Sequence, residues 1–225
     1  MNVLVACEES QEVCKAFRAK GHRAFSCDLQ ECSGGHPEWH IHGDVLPLLN
    51  GNCEFRTADT HTHTQVGKWD LIIAHPPCTY LSNAGAVRLF KDVKDGEYQM
   101  INIERLRKGI EGRDFFMRFY LADCPRIAIE NPVPSRIYAM PQASQVIQPY
   151  EFGHPYSKKT LLWLKGLPPL FPTDIIVGDL TSWVGGGSKR RDGTPRLQSG
   201  TKLRDSRSRS KTFPGIAKAM ADQWG

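Results

Sequence analysis

No apolar run in this chain approaches the roughly 18 residues that a membrane span requires. The seven cysteines are odd in number and none forms a CxxC pair. That excludes a zinc-ribbon pattern and argues against a disulfide scaffold, pointing instead to a reducing cytoplasm. The first residues, Met1-Asn2-Val3-Leu4-Val5, carry neither the basic region nor the small-residue cleavage site of a signal peptide. GxGxxG is missing too, which leaves a nucleotide-dependent dehydrogenase the weakest option. What is present suits a folded domain. The 225 residues are 40% hydrophobic and 24% charged, enough to bury a core. The expectation is a soluble, cytoplasmic globular protein with no membrane partner.

Charge is unevenly placed. Between Lys189 and Lys211, nine lysines and arginines stand against Asp192 and Asp205, so this segment carries +7 of a net +5 and the remainder sums to −2. A local basic run of this kind either meets a polyanion or is a solvated, flexible face.

Along the chain, residues 2–7 read as a buried strand and Gln11–Lys20 as a helix burying Val13, Cys14 and Phe17, stopped by Gly21. Ala24–Cys27 reads as a second strand ending at Asp28, and 43–67 as irregular. Trp69–Ala74 is a third strand, halted by Pro76-Pro77. A long helix is predicted from about Gly96 to Leu121, with Ile103, Leu106, Ile110 and aromatic residues facing inward. Arg126–Ile129 and Leu161–Leu164 complete the strands, and Thr212–Trp224 is helical, with Ile216, Met220 and Trp224 in register. Strands alternating with helices predict a largely parallel α/β sheet. In such sheets, ligand-contacting residues lie past the carboxyl ends of strands. Cys7-Glu8-Glu9-Ser10, Asp28, Pro77-Cys78 and Glu130-Asn131 all fall there.

Cys78 stands out among the cysteines because two prolines fix its exit from a strand, presenting the thiol; Cys7, Cys14, Cys27 and Cys124 read as small core residues. Glu130 follows an apolar strand directly. Burial there raises a carboxyl pKa and suits a proton donor or hydrogen-bond partner, although alone it reads as a capping or surface carboxylate. His61-x-His63 and His36/His40/His42 lack cysteine or carboxylate ligands at fixed spacing, so they read as loop histidines and no metal is expected. The tryptophans read as packing residues, with Trp183 beside the basic run open to base stacking as well.

Pro77-Cys78-x-x-x-Ser82-x-x-Gly85, followed by Glu130-Asn131-Pro132, resembles the catalytic core of DNA cytosine-5 methyltransferases, whose PC motif supplies a nucleophile and whose ENV motif supplies a glutamate. Residues 21–29 (Gly-His-x-Ala-x-Ser-Cys-Asp-Leu), His75–Leu81, Trp163–Leu170 and Pro214–Ala217 are similar to the short phage and bacterial members. The resemblance implies a Rossmann-like class I S-adenosylmethionine-dependent methyltransferase fold with helices on both faces of the sheet. It implies a catalytic domain over 1–172 and 212–225, with the basic loop 173–211 in place of a target-recognition domain.

It further implies Cys78 and Glu130 as catalytic residues acting on a cytosine flipped from double-stranded DNA. S-adenosylmethionine would be held by Ala6, Cys7, Glu8, Ser10, Gln11, Asp28, Leu29, Asp44, Val45 and Pro77. DNA would be held by Ser82, Lys189, Arg190, Arg191, Arg207 and Arg209. Three features depart from the family. The first loop has no glycines. Lys158 stands where arginines are usual, supplying catalytic charge or merely preceding a strand. Residues 173–211 are too few for a second core. Three alternatives therefore stay open: the same chemistry on RNA or a free nucleotide, a different donor, and a non-catalytic nucleic-acid-binding protein.

Overall fold

The structure is a computed structural model that describes residues 1–59, 63–92, 99–183 and 210–225. Seven strands form one sheet: β1 (Asn2–Ala6), β2 (Arg23–Asp28), β3 (His40–His42), β4 (Leu71–Ala74), β5 (Ile127–Pro132), β6 (Gln145–Ile147) and β7 (Thr160–Lys165). Their order is β6-β7-β5-β4-β1-β2-β3. From β3 to β5 every pairing is parallel, while β7 runs antiparallel to both β5 and β6. This is the strand order and polarity of the Rossmann-like class I methyltransferase fold.

Strand residues alternate between faces because the side-chain period of a strand is two. Val3, Val5, Leu71, Ile73, Ala128 and Leu162 bury against one layer. That layer is helix α1 (Glu12–Ala19), through Val13, Cys14 and Phe17, and helix α3 (Pro214–Trp224), through Ile216, Met220 and Trp224. Leu4, Ala6, Ile72, Ala74, Ile129 and Trp163 bury against the other layer, helix α2 (Ile103–Tyr120), through Phe116 and Phe119. Each such aromatic, fully removed from water, contributes about 1.5–3 kcal/mol.

Among the described residues, most strands and the helices α1, α2 and α3 lie where the pattern places them. Four differences have physical causes. Helix α2 starts at Ile103, several residues later than predicted. Asn102 caps it by accepting the Arg105 N–H at 3.2 Å, and Gln99–Ile101 instead pairs with Phe90–Asp92 in a two-stranded ribbon. The inward face of α2 is carried by Gly109, Phe116 and Phe119, whereas Ile103 and Ile110 are exposed. Gly109 is needed there, since a Cβ would lie 2.1 Å from the hydroxyl of buried Tyr138. The stretch 43–67 holds an antiparallel pair, Cys53–Arg56 with His63–Val66, whose Phe55 and Val66 cover the β2 edge of the core. Lastly, β3 and β6 were not anticipated, because three-residue strands give too short a pattern to register.

Candidate active site

The strand β5 continues through Glu130, Asn131 and Pro132 because it pairs with Leu162, Leu161 and Thr160 of β7. Glu130 and Asn131 are therefore inside the strand rather than past its end as the sequence suggested. The neighbouring β4 stops at Ala74, which pairs with Ile129. The next residues, His75 and Glu130, consequently lie side by side on the α1/α3 face. His75 Nδ1 is 2.9 Å from Glu130 Oε2, and both side chains are close to nine-tenths buried. The Thr212 hydroxyl, just ahead of α3, donates to the same oxygen at 3.4 Å.

Burial alone would raise the Glu130 carboxyl, as expected from the sequence. The His75 hydrogen bond, the charges of Lys158 and His75, and Thr212 outweigh it and hold Glu130 down to about 2. The expectation of a raised glutamate is thus corrected: Glu130 is an ionised acceptor. His75 shows the converse. Burial pulls it down and Lys158 adds to that, but the Glu130 hydrogen bond and the charges of Glu130 and Glu8 raise it above its ordinary value. The result is a buried imidazolium–carboxylate pair. The other ring nitrogen of His75, Nε2, is buried without a hydrogen-bond partner.

Cys78 sits three residues beyond His75, half-buried, in a loop laced to β5 and its continuation. Asn131 Nδ2 donates to the Pro76 carbonyl at 2.9 Å, Asn83 N to Val133 O at 2.8 Å and Ser135 N to Leu81 O at 2.7 Å. The Cys78 carbonyl accepts from Leu81 N and Ser82 N, which curls the chain immediately after the thiol. Ser82 itself bridges to Pro134. From α2, Arg105 donates to the Thr79 carbonyl at 3.0 Å and lies over the Tyr80 ring, which Lys108 also approaches. Gly85 packs closely beside them, and a Cβ there would displace the Arg105 guanidinium, 2.5 Å away.

The predicted donor site divides in two. Cys7, Asp28 and Asp44 come together at the carboxyl ends of β1 and β2. Burial pushes the Cys7 thiol up, and both carboxylates act on it in the same direction. Leu29 projects beside them, 75% exposed, while Val45 is buried. Two carboxylates accept hydrogen bonds from a nucleoside's hydroxyls and amine and favour a sulfonium cation, and they disfavour a phosphate. The donor set thus fits S-adenosylmethionine better than a dinucleotide.

The rest of the first loop turns inward. Glu8 is buried and accepts from Val13 N at 2.6 Å and Cys14 N at 3.2 Å, tying off the N-terminus of α1. Gln11 is fully buried and donates to Ser26 Oγ and to the His36 carbonyl while accepting from His36 N. Ser10 and Ala6 are buried as well. Of the residues expected at the cofactor, Glu8 and Gln11 thus direct their side chains into the loop itself, and Ser10 is buried beside them. The missing glycines are explained by the backbone: Cys7 and Gln11 both take left-handed conformations at φ 59°, at a cost of about 1–2 kcal/mol each. Gly34 closes the arrangement, since a Cβ there would lie 2.5 Å from the Ser10 carbonyl.

Lys158 lies close enough to act on both Glu130 and His75, with its Nζ 5.9 Å from the Phe213 ring centroid. Pro77 is exposed and Pro76 buried. Lys189, Arg190, Arg191, Arg207 and Arg209 lie outside the described residues. His36, His40 and His42 each bond within the protein, to Glu38, to Ser26 and the Gln30 carbonyl, and to the Leu29 carbonyl. Trp183 packs edge-on against Tyr156 and Phe213.

Sequence reasoning missed His75 and Thr212 as hydrogen-bond partners of Glu130, and Glu8 as a charge acting on His75. The signal for His75 was available: counting in twos from Leu71 and Ile73 puts it on the same face as Glu130. No protein-family model and no curated protein matches the chain. Among solved structures, it is similar to a DNA modification methyltransferase encoded within an E. coli prophage, at 12% identity and TM-score 0.42, covering 81% of this chain and 53% of that one. It is also similar to a mutant of Spodoptera frugiperda DNMT2, at 14% identity and TM-score 0.35, covering 86% and 57%. The chain spans little more than half the length of these structures, and its fold is read from its own strand order.

Proposed function

We propose that this protein is a DNA cytosine-5 methyltransferase in which Cys78 is the nucleophile and Glu130 the partner of the base. The observation that carries the reading is the lacing of the Cys78 loop onto β5. Asn131 holds Pro76 and His75 pairs with Glu130, so a thiol and an ionised carboxylate share one end of two parallel strands. In this reading the Cys78 thiolate adds to C6 of the cytosine. Glu130 accepts a hydrogen bond from the exocyclic amine and fixes the ring's orientation. Lys158, through its charge, keeps Glu130 ionised. Asp28 and Asp44 would hold the donor through its ribose hydroxyls and adenine amine, with Cys7 and Leu29 lining it. S-adenosylmethionine, when bound, supplies an electrophilic methyl group to C5. Base flipping is required because C5 and C6 are inaccessible in a stacked duplex. The basic segment, including Lys189, Arg190, Arg191, Arg207 and Arg209, supplies phosphate contacts in this reading, and Ser82 a contact near the flipped base.

The test is transfer of labelled methyl from S-adenosylmethionine to duplex DNA by wild type, Cys78→Ser and Glu130→Gln. Label in 5-methylcytosine with wild type alone supports the reading. Label only with RNA or free nucleotide as acceptor moves the substrate. DNA binding that survives Cys78→Ala with no product from any acceptor means a non-catalytic binder.

A further inference from the structure

An ionised Glu130 accepts hydrogen bonds but has no proton to give, and addition of a thiolate to C6 puts electron density on the ring at N3. That density requires a proton close by. Of the two groups that bond to Glu130, the Thr212 hydroxyl is too weak an acid to release its proton, and the imidazolium of His75 is not. We propose that His75 is the proton store for this site: its Nδ1 proton passes to Oε2 of Glu130, and the carboxylic acid so formed donates to N3 of the cytosine. The inference rests on the reading of Cys78 and Glu130 above and extends it to the source of the proton.

The geometry is that of a short relay. Nδ1 lies 2.9 Å from Oε2. The ring is held at both ends of its backbone: His75 N donates to the Ala6 carbonyl, and the following Pro76 carbonyl is fixed by Asn131. The groups facing the pair are Glu8 from the β1–α1 loop, Lys158 ahead of β7 and Thr212 ahead of α3. Glu8 favours the charged ring while burial and Lys158 oppose it, and the bond to Glu130 tips the balance toward the imidazolium. The buried, unpartnered Nε2 leaves Nδ1 as the nitrogen bonded to an acceptor.

The step balances. The Sγ–C6 bond forms from the thiolate pair, the C5=C6 π pair shifts to C4–C5, and the C4–N3 π pair becomes an N3–H bond. Nδ1–H breaks and N3–H forms, so thiolate and imidazolium are consumed together and Glu130 ends as it began. On elimination, Sγ leaves with the C6 pair, C5 loses its proton to solvent, and N3 returns its proton through Glu130 to His75. His75 touches no substrate and is a positioning and proton-supplying residue.

Two measurements on the full chain test this. The first is release of tritium from a duplex oligonucleotide carrying [5-³H]cytosine, without any methyl donor. It reads the addition step itself, across pH, for wild type, His75→Asn and His75→Gln. Asparagine keeps an N–H donor toward Glu130 but has no transferable proton. The relay predicts that wild-type exchange falls at high pH as His75 loses its proton. It predicts that His75→Asn is slower by about 100-fold or more and lacks that falling limb. Exchange by His75→Asn with wild-type rate, or with the falling limb intact, overturns the relay and leaves the cytosine-5 reading standing. The second is an NMR titration of the His75 ring in wild type and Glu130→Gln. The relay predicts a value above the ordinary histidine range that drops in Glu130→Gln, and an unshifted or uncoupled His75 overturns it. No exchange from wild type, with His75 still titrating in step with Glu130, overturns the cytosine-5 reading and the relay with it.

Discussion

The Nδ1 of His75 lies 2.9 Å from Oε2 of Glu130 because Ala74, the last residue of β4, pairs with Ile129 of β5, which puts the next residue of each at the same level. Parallel pairing then sets the two side chains on one face, and Thr212 and Lys158 close over the carboxylate. The pair's stability contribution depends on pH in a definite way. Glu130, ordinarily 4.5, is held down to about 2, so its share is complete above 4.5 and lost as pH falls toward 2. His75, ordinarily 6.5, is raised, so its share is complete below 6.5 and lost as pH rises through its folded value. Glu8 acts oppositely at the acid end. Burial raises it despite His75, and stability declines as pH rises above 4.5 through its folded value.

Comparing urea midpoints of wild type and Glu130→Gln from about pH 3 to 9 checks this. The difference should be greatest near pH 4.5–6.5, about 2–4 kcal/mol, and should shrink on both sides. A difference independent of pH would mean that the pair is not ionised.

Gln11→Ala removes a side chain that makes three hydrogen bonds, to Ser26 Oγ and to both the N–H and the carbonyl of His36. The loss should destabilise the fold by about 2–3 kcal/mol, read as a lowered urea midpoint at unchanged slope. Donor binding should weaken with it, because the loop carrying Cys7 is braced by the same contacts.

Asp28→Asn and Asp44→Asn should each weaken S-adenosylmethionine binding by about 10-fold or more, measured by calorimetry, with little change in urea midpoint. Among the described residues each carboxylate accepts a local backbone N–H, from Gln30 and Leu46 respectively, which an amide oxygen can also accept. Glu8→Ala should do the reverse. It uncaps α1 and costs about 1–2 kcal/mol of stability, with binding changed only through the loop's shape.

Two strand ends that define the site were legible because the continuous apolar runs at 2–7 and 69–74 are broken by a charged residue and by proline, whereas the run at 126–129 marked β5 but not its end, which pairing with β7 carries through Pro132. The α1 and α3 faces were legible from their 3.6-residue spacing. Glycine content proved a poor guide to the first loop, since Cys7 and Gln11 adopt left-handed backbone without it. Which way Glu8 and Gln11 point was not readable either. Each satisfies backbone or side-chain partners brought near only by the tertiary fold, in Glu8's case its own helix N-terminus and in Gln11's the His36 loop. The direction of the Glu130 shift was likewise hidden, because burial and pairing oppose one another and only the His75 contact decides the outcome. Ile103 and Ile110 misled for a related reason: a helical period marks two possible faces when aromatic residues further along compete for the core.

The claim that Cys78 attacks the base is tested most directly by intact-mass analysis after incubation with S-adenosylmethionine and duplex DNA containing 5-fluorocytosine, whose fluorine at C5 blocks the final elimination. The predicted result is a stable protein–DNA adduct mapping to the Cys78 peptide, absent in Cys78→Ser and present in Cys32→Ser, which changes a partly exposed cysteine. Methyl transfer without an adduct, or an adduct at another cysteine, would contradict it.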